Sequence, residues 1–125
     1  MSDDDECPCG KPTVMESCCG PIMAGDVAPA TAEALMRSRY TAFVVGDVAH
    51  LMRSWHPSTR PTSLVLDKRI VWRGLQIEKC EAGQQFDATG VVVFTAWFEG
   101  GSQRERSRFA RVGGDWMYVD GETGA

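Results

Sequence analysis

The sequence lacks any apolar run approaching the about eighteen residues of a membrane helix, so we expect no membrane association. It also lacks a basic start followed by an apolar segment, the pattern of a secretory signal, and a cytoplasmic protein is therefore expected. There is no Gly-x-Ser-x-Gly motif and no glycine-rich phosphate loop. These absences argue against a serine hydrolase and against a nucleotide-binding protein.

Positive charge is scarce: 13 Lys and Arg residues stand against 17 Asp and Glu residues, for a formal net charge of −4. A protein that binds nucleic acid through bulk charge needs the opposite balance, so nucleic acid is not an expected partner. One local exception is a predicted strand with Arg104, Arg106 and Arg108 on one face, close to Trp97 in the preceding strand. The alternative is a solvated face whose arginines pair with acidic neighbours.

Two helices are predicted after a cysteine-rich start. Thr31 has the position and side chain of a helix N-cap, and apolar residues then recur at helical spacing up to Gly46, a C-cap residue. Asp47 caps a shorter helix, which Pro57 bounds. The apolar positions of the two helices are Ala32, Leu35, Met36, Tyr40, Phe43, Val44, Val48, Leu51, Met52 and Trp55.

Beyond Pro61 the pattern changes from helical spacing to alternation. A first strand is predicted to begin at residue 70, with a bulge at Gly74, and further strands are predicted over 86–99, 103–112 and 116–119. The glycine pairs at 100–101 and 113–114 are hairpin turns. Helices followed by hairpin-linked strands predict an α+β layer fold in a chain whose 125 residues suit one compact domain. One face of the long strand is predicted to carry Phe86, Ala88, Val92, Phe94, Ala96 and Phe98. The other face is apolar toward its far end, so part of this strand is expected to be covered on both sides.

Four of the five cysteines cluster near the start, as C-x-C, eight residues, and then C-C: Cys7, Cys9, Cys18 and Cys19. Four thiolates suit tetrahedral zinc, and with every position filled by protein the ion is structural rather than catalytic. Metal binding can supply on the order of 10 kcal/mol, which offsets the cost of ordering so short a segment. Two alternatives remain open: the cysteines are incidental, or they form a redox or disulfide set. Cys80, in a predicted strand, is interpreted as a core thiol.

Several segments resemble known families. Residues 7–20, CPCGKPTVMESCCG, look like the SEC-C zinc motif, also found at the tail of the bacterial preprotein translocase ATPase. The Gly-Ser-Gly-Lys usual after the second cysteine is replaced by Gly10-Lys11-Pro12. Residues 29–60, with ALMRSRYTAFVVGDVAHLMRSWHPSTR, together with WRGLQI at 72–77 and DWMYVDG at 115–121, resemble the YchJ-like family of uncharacterised bacterial proteins.

This resemblance implies a nuclear-transport-factor-like α+β fold, in which a curved antiparallel sheet and helices form a cone with a pocket. It also implies zinc or another metal on the SEC-C cysteines, and the family has no established activity that could be carried over to this chain. Some family members carry a second SEC-C motif, which we expect to be absent because no further cysteines lie near Ala125. The predicted organisation is an acidic disordered tail over 1–6, a zinc knuckle over 7–25 and the α+β domain over 26–125.

The cone pocket raises the question of catalysis. In the acid–base hypothesis, His56 works with Asp120 or Glu105 on a small molecule. The alternative is that His56 only interacts with a helix C-terminus. His50 is predicted on the surface, and Arg39 as a buried ion-pair partner. The candidate pocket residues are Arg39, Tyr40, Trp55, His56, Arg60 and Trp97. Tyr40 and Trp55 stand at helical spacing, where such residues are more often part of a core than of a site.

The small apolar residues of the knuckle are candidates for protein binding. They can contact an unknown protein partner, or they can dock the knuckle onto its own domain. The preferred hypothesis is a non-catalytic zinc-binding module for protein interaction or small-ligand binding, and the alternative is a small-molecule enzyme that uses the cone pocket. The knuckle residues concerned are Val14, Met15, Ile22 and Met23.

Overall fold

Helical segments precede strands in this computed structural model, which describes residues 6–123. The predicted acidic tail therefore lies outside the described residues, except for Glu6. The helical segments are a 3-10 helix at Met15–Ser17, α1 at Cys19–Met23, α2 at Ala32–Val45 and α3 at Val48–Arg53. The strands are β1 at Trp72–Ala82, β2 at Thr89–Phe98, β3 at Gly101–Val112 and β4 at Asp115–Thr123.

The predicted caps of both main helices are confirmed. The Thr31 hydroxyl accepts a hydrogen bond from the Ala34 amide at 3.0 Å, at the start of α2. Gly46 ends α2 in the left-handed conformation, with φ of 82°, where a side chain would be strained. The Asp47 carboxylate then accepts from the His50 amide at 3.0 Å and starts α3. Within residues 6–123, no helix has the length and apolar character needed to cross a membrane.

The four strands form one antiparallel sheet in the order β1-β2-β3-β4, so each strand pairs with its neighbour in sequence. The bulge predicted at Gly74 is confirmed, because the β1–β2 register shifts between Trp72 and Gly74. Further shifts occur between Ile77 and Lys79 and beside Phe109. Such irregularities bend a sheet, which leaves room for side chains between it and a helix.

The predicted start of β2 at residue 86 is wrong. Phe86 is 92% exposed, and the strand begins at Thr89. The chain turns instead at Gln84, whose amide donates to the Asp87 carboxylate at 3.0 Å. The Arg111 guanidinium donates to the Asp87 carbonyl at 2.7 Å and holds this turn against β3. A side chain–backbone turn therefore interrupts a segment whose apolar residues favour a strand.

Helix α2 packs across the inner face of the sheet and carries the main core. Val92, Phe94 and Ala96 of β2 are buried on that face, as the alternation predicts. Trp116 of β4 is buried, and its indole N–H donates to the Ala30 carbonyl at 3.2 Å, just before α2. The remaining buried members of this core are Ala32, Leu35, Met36, Tyr40 and Phe109.

The opposite side of α2 is covered by the cysteine segment. Cys7, Cys9 and Cys19 pack in a second buried cluster with Ala42 of α2 and Leu51 of α3. Because α2 is covered on two sides, its polar residues Ser38, Arg39 and Thr41 are buried as well. The cysteine segment and the sheet therefore share one central helix.

Candidate functional site

The four N-terminal cysteines converge. Their Sγ atoms all lie within 4.8 Å of one another, with Cys9 and Cys18 at 3.5 Å and Cys18 and Cys19 at 3.9 Å. A Zn–S distance of about 2.3 Å makes the edge of a regular ZnS₄ tetrahedron about 3.8 Å. All four cysteines are free thiols, with separations well beyond a disulfide bond. Donor type, number and spacing therefore fit a tetrahedral metal ion.

Tight local turns bring the two cysteine pairs together. The Cys7 amide donates to the Thr13 carbonyl at 2.6 Å, and the Gly10 amide donates back to the Cys7 carbonyl at 3.1 Å. Gly10 has φ of 95°, a conformation that glycine adopts without strain. A Cβ on Gly20 would lie 2.8 Å from the Met15 carbonyl oxygen. The altered turn of the motif keeps its first glycine where the backbone needs one.

The site is shielded from water. Cys7, Cys9 and Cys19 are at most 3% exposed, and only Cys18 is half-buried. Hydrogen bonds from Cys19 and Cys9 lower the pKa of the Cys7 thiol, whereas burial raises the pKa of Cys18 to about 11. Adjacent buried thiols oppose one another's ionisation, and a bound cation reverses this by stabilising the thiolates. The chemistry of the donor set favours a metal.

Two arginines hold the cysteine segment on the domain. The Arg37 guanidinium of α2 donates to the Cys9 carbonyl at 2.7 Å and to the Glu33 carboxylate at 2.9 Å. The Arg53 guanidinium, at the end of α3, donates to the Met23 carbonyl at 2.7 Å. Charge-assisted bonds of this kind are stronger than neutral ones. They orient the segment at its first cysteine pair and at the end of α1.

The prediction that Cys80 is a core thiol is wrong. Its side chain is exposed, although it lies on the side of β1 that faces α2, where its Sγ donates to the Glu33 carboxylate of that helix at 3.4 Å. The register shift at Lys79 pairs Cys80 with buried Val92, so both side chains share the face toward α2. The thiol is nevertheless open to solvent, because β1 is an edge strand of the sheet. Cys80 is separate from the four clustered thiols.

The prediction that His50 is a surface residue is also wrong, because its side chain is 3% exposed. The Ser38 hydroxyl donates to the Leu35 carbonyl at 2.7 Å, so it accepts from His50 Nε2 at 2.9 Å. Nδ1 then accepts from Arg53 at 3.3 Å, which defines a neutral ring. Burial, with the charges of Arg53 and Arg39, lowers the pKa of His50 to about 4.

The small apolar residues of the cysteine segment mostly face the domain. Met23 is buried in the cysteine cluster, and Met15 packs against it. Val14 pairs with Glu6 in an isolated bridge and is half-buried, as is Ile22. For Met15 and Met23, the structure therefore agrees with the second of the two sequence-based alternatives, in which these residues dock the cysteine segment onto its own domain.

A second feature is a cavity of about 280 Å³ between α2 and the inner face of the sheet. It brings together three predicted pocket residues, Arg39, Tyr40 and Trp55, with Glu105 of β3. The alternation that places Phe94 inside also places Glu105 there, because the two are paired across β2 and β3. The sequence reasoning missed the other lining residues, which are Met36, Phe43, Ile70, Trp72, Phe94, Ala96, Gln103 and Tyr118.

Arg39 is buried, but it is not the ion-pair partner that the sequence predicts. Among the described residues, no carboxylate lies within 4.0 Å of its guanidinium. Nη1 instead donates to the Leu51 carbonyl at 2.8 Å and to the Ser54 hydroxyl at 2.6 Å. The guanidinium carbon lies 5.0 Å from the Trp55 ring centroid and 4.4 Å from that of Tyr118. Burial lowers the pKa of Arg39 to about 10.

The structure does not bring the candidate acid–base residues together. The His56 ring is held by Ser58, whose amide and hydroxyl lie 3.0 and 2.7 Å from Nδ1. Asp120 is bound by the Arg108 guanidinium at 2.6 Å. Glu105 lines the cavity, whereas His56 does not, and no hydrogen bond joins them in the described residues. This arrangement lacks the contact that proton transfer would need.

Two further predicted pocket residues also lie away from the cavity. The Arg60 guanidinium is exposed and donates to the Trp55 carbonyl at 2.7 Å. Trp97 is 47% exposed on the outer face of the sheet. The arginines beside it are paired with acids, which corresponds to the solvated-face alternative. The pairs are Arg104–Glu78, Arg106–Glu81 and Arg108–Asp120.

Comparisons with known proteins agree with this architecture. Residues 31–121 match the family described as YchJ, middle NTF2-like domain. A UPF0225 protein of Streptomyces coelicolor is 54% identical over 93% of this chain and 94% of its own. One from Chromobacterium violaceum is 47% identical over 92% and 90% of the two chains.

Two solved structures are similar to this chain over most of its length. A SEC-C motif containing protein from Rhodopseudomonas palustris, known in solution, has a TM-score of 0.82 and 29% identity, covering 97% of this chain and 100% of its own. A crystal structure of a SEC-C motif containing protein from Psychrobacter arcticus has a TM-score of 0.74 and 26% identity, with coverages of 91% and 80%. The four-stranded α+β domain is therefore NTF2-like, with a cysteine cluster at its N-terminal end.

Proposed function

The chain belongs to the YchJ-like UPF0225 family, and from that premise we propose that it is a non-catalytic zinc protein. In this proposal Cys7, Cys9, Cys18 and Cys19 hold a structural zinc ion. The ion fixes the N-terminal segment, here called the knuckle (residues 7–25), on an NTF2-like domain that binds a small ligand. A cytoplasmic location, where thiols stay reduced, suits these ligands.

The convergence of four free, mostly buried thiols is the observation that carries the proposal. Four protein sulfurs complete a tetrahedral shell, which leaves no coordination position for a substrate or a reactive water. A redox pair would instead require sulfurs that reach bonding distance and an accessible attacking thiolate. Three of these four cysteines are buried, which favours a structural metal over thiol exchange.

The knuckle also needs a metal for its own stability. Its helical segments contain three and five residues, which are too short to be stable alone. Zinc binding contributes on the order of 10 kcal/mol, enough to order such a segment. The ordered knuckle then covers Ala42 and Leu51, so the metal indirectly shields one side of α2 from water.

A protein partner is the second part of this proposal. Because Met15 and Met23 face the domain, the free surface of the knuckle is its opposite side. Residues 12, 16 and 17 of the knuckle are exposed next to the metal-held turn, whereas Gly10 lies against Leu75 and Arg37 of the domain. This surface is small, so a contact through it alone would be weak and transient.

Metal analysis by mass spectrometry tests the zinc assignment on protein purified without added zinc. About one zinc ion per chain is expected. Cys9→Ser and Cys18→Ser should lose the metal, whereas Cys80→Ser, the matched control at an exposed cysteine, should keep it. Amide exchange should show that the two ligand variants lose protection in residues 7–25 but retain it in the sheet.

The same experiment can refute the assignment. Native protein free of metal, with the four thiols oxidised in pairs, would support the redox alternative. Retained metal and retained knuckle protection in Cys9→Ser would show that Cys9 is not a ligand.

A further inference from the structure

Two opposite charges face the cavity between α2 and the sheet without touching each other. Arg39 and Glu105 both line it, yet they form no ion pair with each other. In the described part of the chain, no guanidinium nitrogen of Arg39 lies within 4.0 Å of a Glu105 carboxylate oxygen. We propose that the cavity binds a small zwitterion with an apolar side chain, the chemistry of a free apolar α-amino acid. Its carboxylate contacts Arg39 and its ammonium group contacts Glu105. This inference gives a ligand class to the ligand-binding role proposed above.

Arg39 is prepared to receive a carboxylate. Its two described hydrogen bonds both leave from Nη1, toward Leu51 and Ser54. A guanidinium has five N–H donors, so those on Nε and Nη2 remain for a ligand. The rings of Trp55 and Tyr118 hold the guanidinium plane in place. A fixed guanidinium fork of this kind matches the two oxygens of a carboxylate.

Glu105 supplies the acceptor for a cationic group. The Ser107 hydroxyl donates to Glu105 Oε2 at 2.5 Å, which orients the carboxylate. An ionised carboxylate accepts about four hydrogen bonds, so positions remain for an ammonium group. Glu105 is half-buried, and a charge taken from water there needs a partner.

Charge balance favours a zwitterion over a simple acid or a simple amine. The cavity already holds one positive and one negative side chain, Arg39 and Glu105. A bound acid would leave one excess negative charge, and a bound amine would leave one excess positive charge, both away from water. A zwitterion leaves none, and each of its ends meets the opposite sign.

The rest of the cavity is apolar and small. The Trp72 ring lies 5.8 Å from Tyr40 and 6.1 Å from Phe43, measured between centroids, and Ile70 and Phe94 complete the wall. A volume of about 280 Å³ lies just below the range of most ligand pockets, which is about 300 to 1,000 Å³. The space therefore suits one small molecule with an aromatic or branched aliphatic side chain.

The probes for this proposal are L-phenylalanine and L-leucine. Each is titrated into the full chain, in samples whose zinc content has been measured, and binding is followed by calorimetry and by amide chemical shifts. Two analogues of phenylalanine each lack one charge: 3-phenylpropanoate has no ammonium group, and 2-phenylethylamine has no carboxylate. At least one amino acid should bind, and for phenylalanine each analogue should bind at least about tenfold more weakly. No binding of either amino acid, or equal binding of the analogues, overturns the proposal.

Variants at the two charges sharpen the test. Glu105→Gln keeps the shape of the side chain and removes its negative charge. The variant should therefore bind the amino acid more weakly and 3-phenylpropanoate more tightly than the native chain does. Arg39→Lys keeps the positive charge but loses the forked guanidinium. This variant should bind both probes that carry a carboxylate more weakly. Glu81→Gln, on the outer face beside Arg106, is the matched control and should bind like the native chain. A Glu105→Gln variant with unchanged preference contradicts the assignment. Zinc content is measured on each sample, so failure of the metal assignment and failure of this one are separate results.

Discussion

The buried, neutral His50 makes a quantitative prediction about stability in mild acid. Its Nε2 hydrogen is given to Ser38, and its Nδ1 accepts from Arg53, the arginine that also holds the Met23 carbonyl. Protonation of Nδ1 would set an N–H against the Arg53 guanidinium. The ring then loses that hydrogen bond and gains repulsion, inside a site where burial already disfavours charge.

The magnitude follows from linkage. The folded pKa of His50 is lowered from about 6.5 to about 4, so between these values the unfolded chain binds more protons than the folded one. The free energy of unfolding therefore falls as the pH falls through 6.5 toward 4. Between pH 7.5 and 5.5 the loss from His50 alone is about 1.3 kcal/mol, at about 1.36 kcal/mol per pKa unit. The result changes little while the folded pKa stays well below 5.5.

Urea unfolding of the native chain and of His50→Gln at the two pH values measures this term. The glutamine amide can still donate to Ser38 but does not titrate. The variant should therefore lose about 1.3 kcal/mol less than the native chain on acidification. Zinc content, measured at both pH values, separates this effect from metal release. An equal loss in both proteins, or an NMR titration of the His50 ring with a midpoint near 6.5, would refute the reasoning.

Two other predictions concern packing around the knuckle and the sheet. Arg37→Met should cost about 1–3 kcal/mol of unfolding free energy, because the Cys9 carbonyl loses the hydrogen bond from this guanidinium, and amide exchange should quicken in the knuckle but not in the sheet. Gly90→Ala should lower stability by about 1–3 kcal/mol or more in urea unfolding, because its Cβ would collide with the Gly83 backbone. Gly74→Ala is the matched control, with no atom within 4 Å of its Cβ, and a change within about 0.5 kcal/mol is expected. Equal effects at the two glycines would contradict the second prediction.

Local signals predicted the elements that local interactions stabilise. Thr31, Gly46 and Asp47 act within one turn of their own positions, so the starts and ends of the helices could be predicted from neighbouring residues alone. The bulge at Gly74 could be predicted from the sequence for the same reason. Phe86 marks the limit of this approach, because Arg111, a residue distant in sequence, holds the turn that excludes it from β2.

The candidate metal site could also be predicted largely from the sequence, because its four candidate ligands lie within 13 consecutive residues, from Cys7 to Cys19. The cavity was only partly readable. Arg39 and Glu105 come from a helix and a strand far apart in the sequence, and only the packing of α2 on the sheet places them on one cavity. For the same reason the pairing of His56 with Glu105 could not be judged from the chain alone.

The amino-acid sequence by itself determined the α+β class, the helix caps and the four-sulfur cluster, because each depends on spacing along the chain. The tertiary structure decided which side chains are buried and which charges meet. His50 is covered because the knuckle and α3 both pack on α2, and Cys80 is exposed because it lies on an edge strand of the sheet. Burial and the distance between charges depend on contacts between distant segments, and these exist only once the chain has packed.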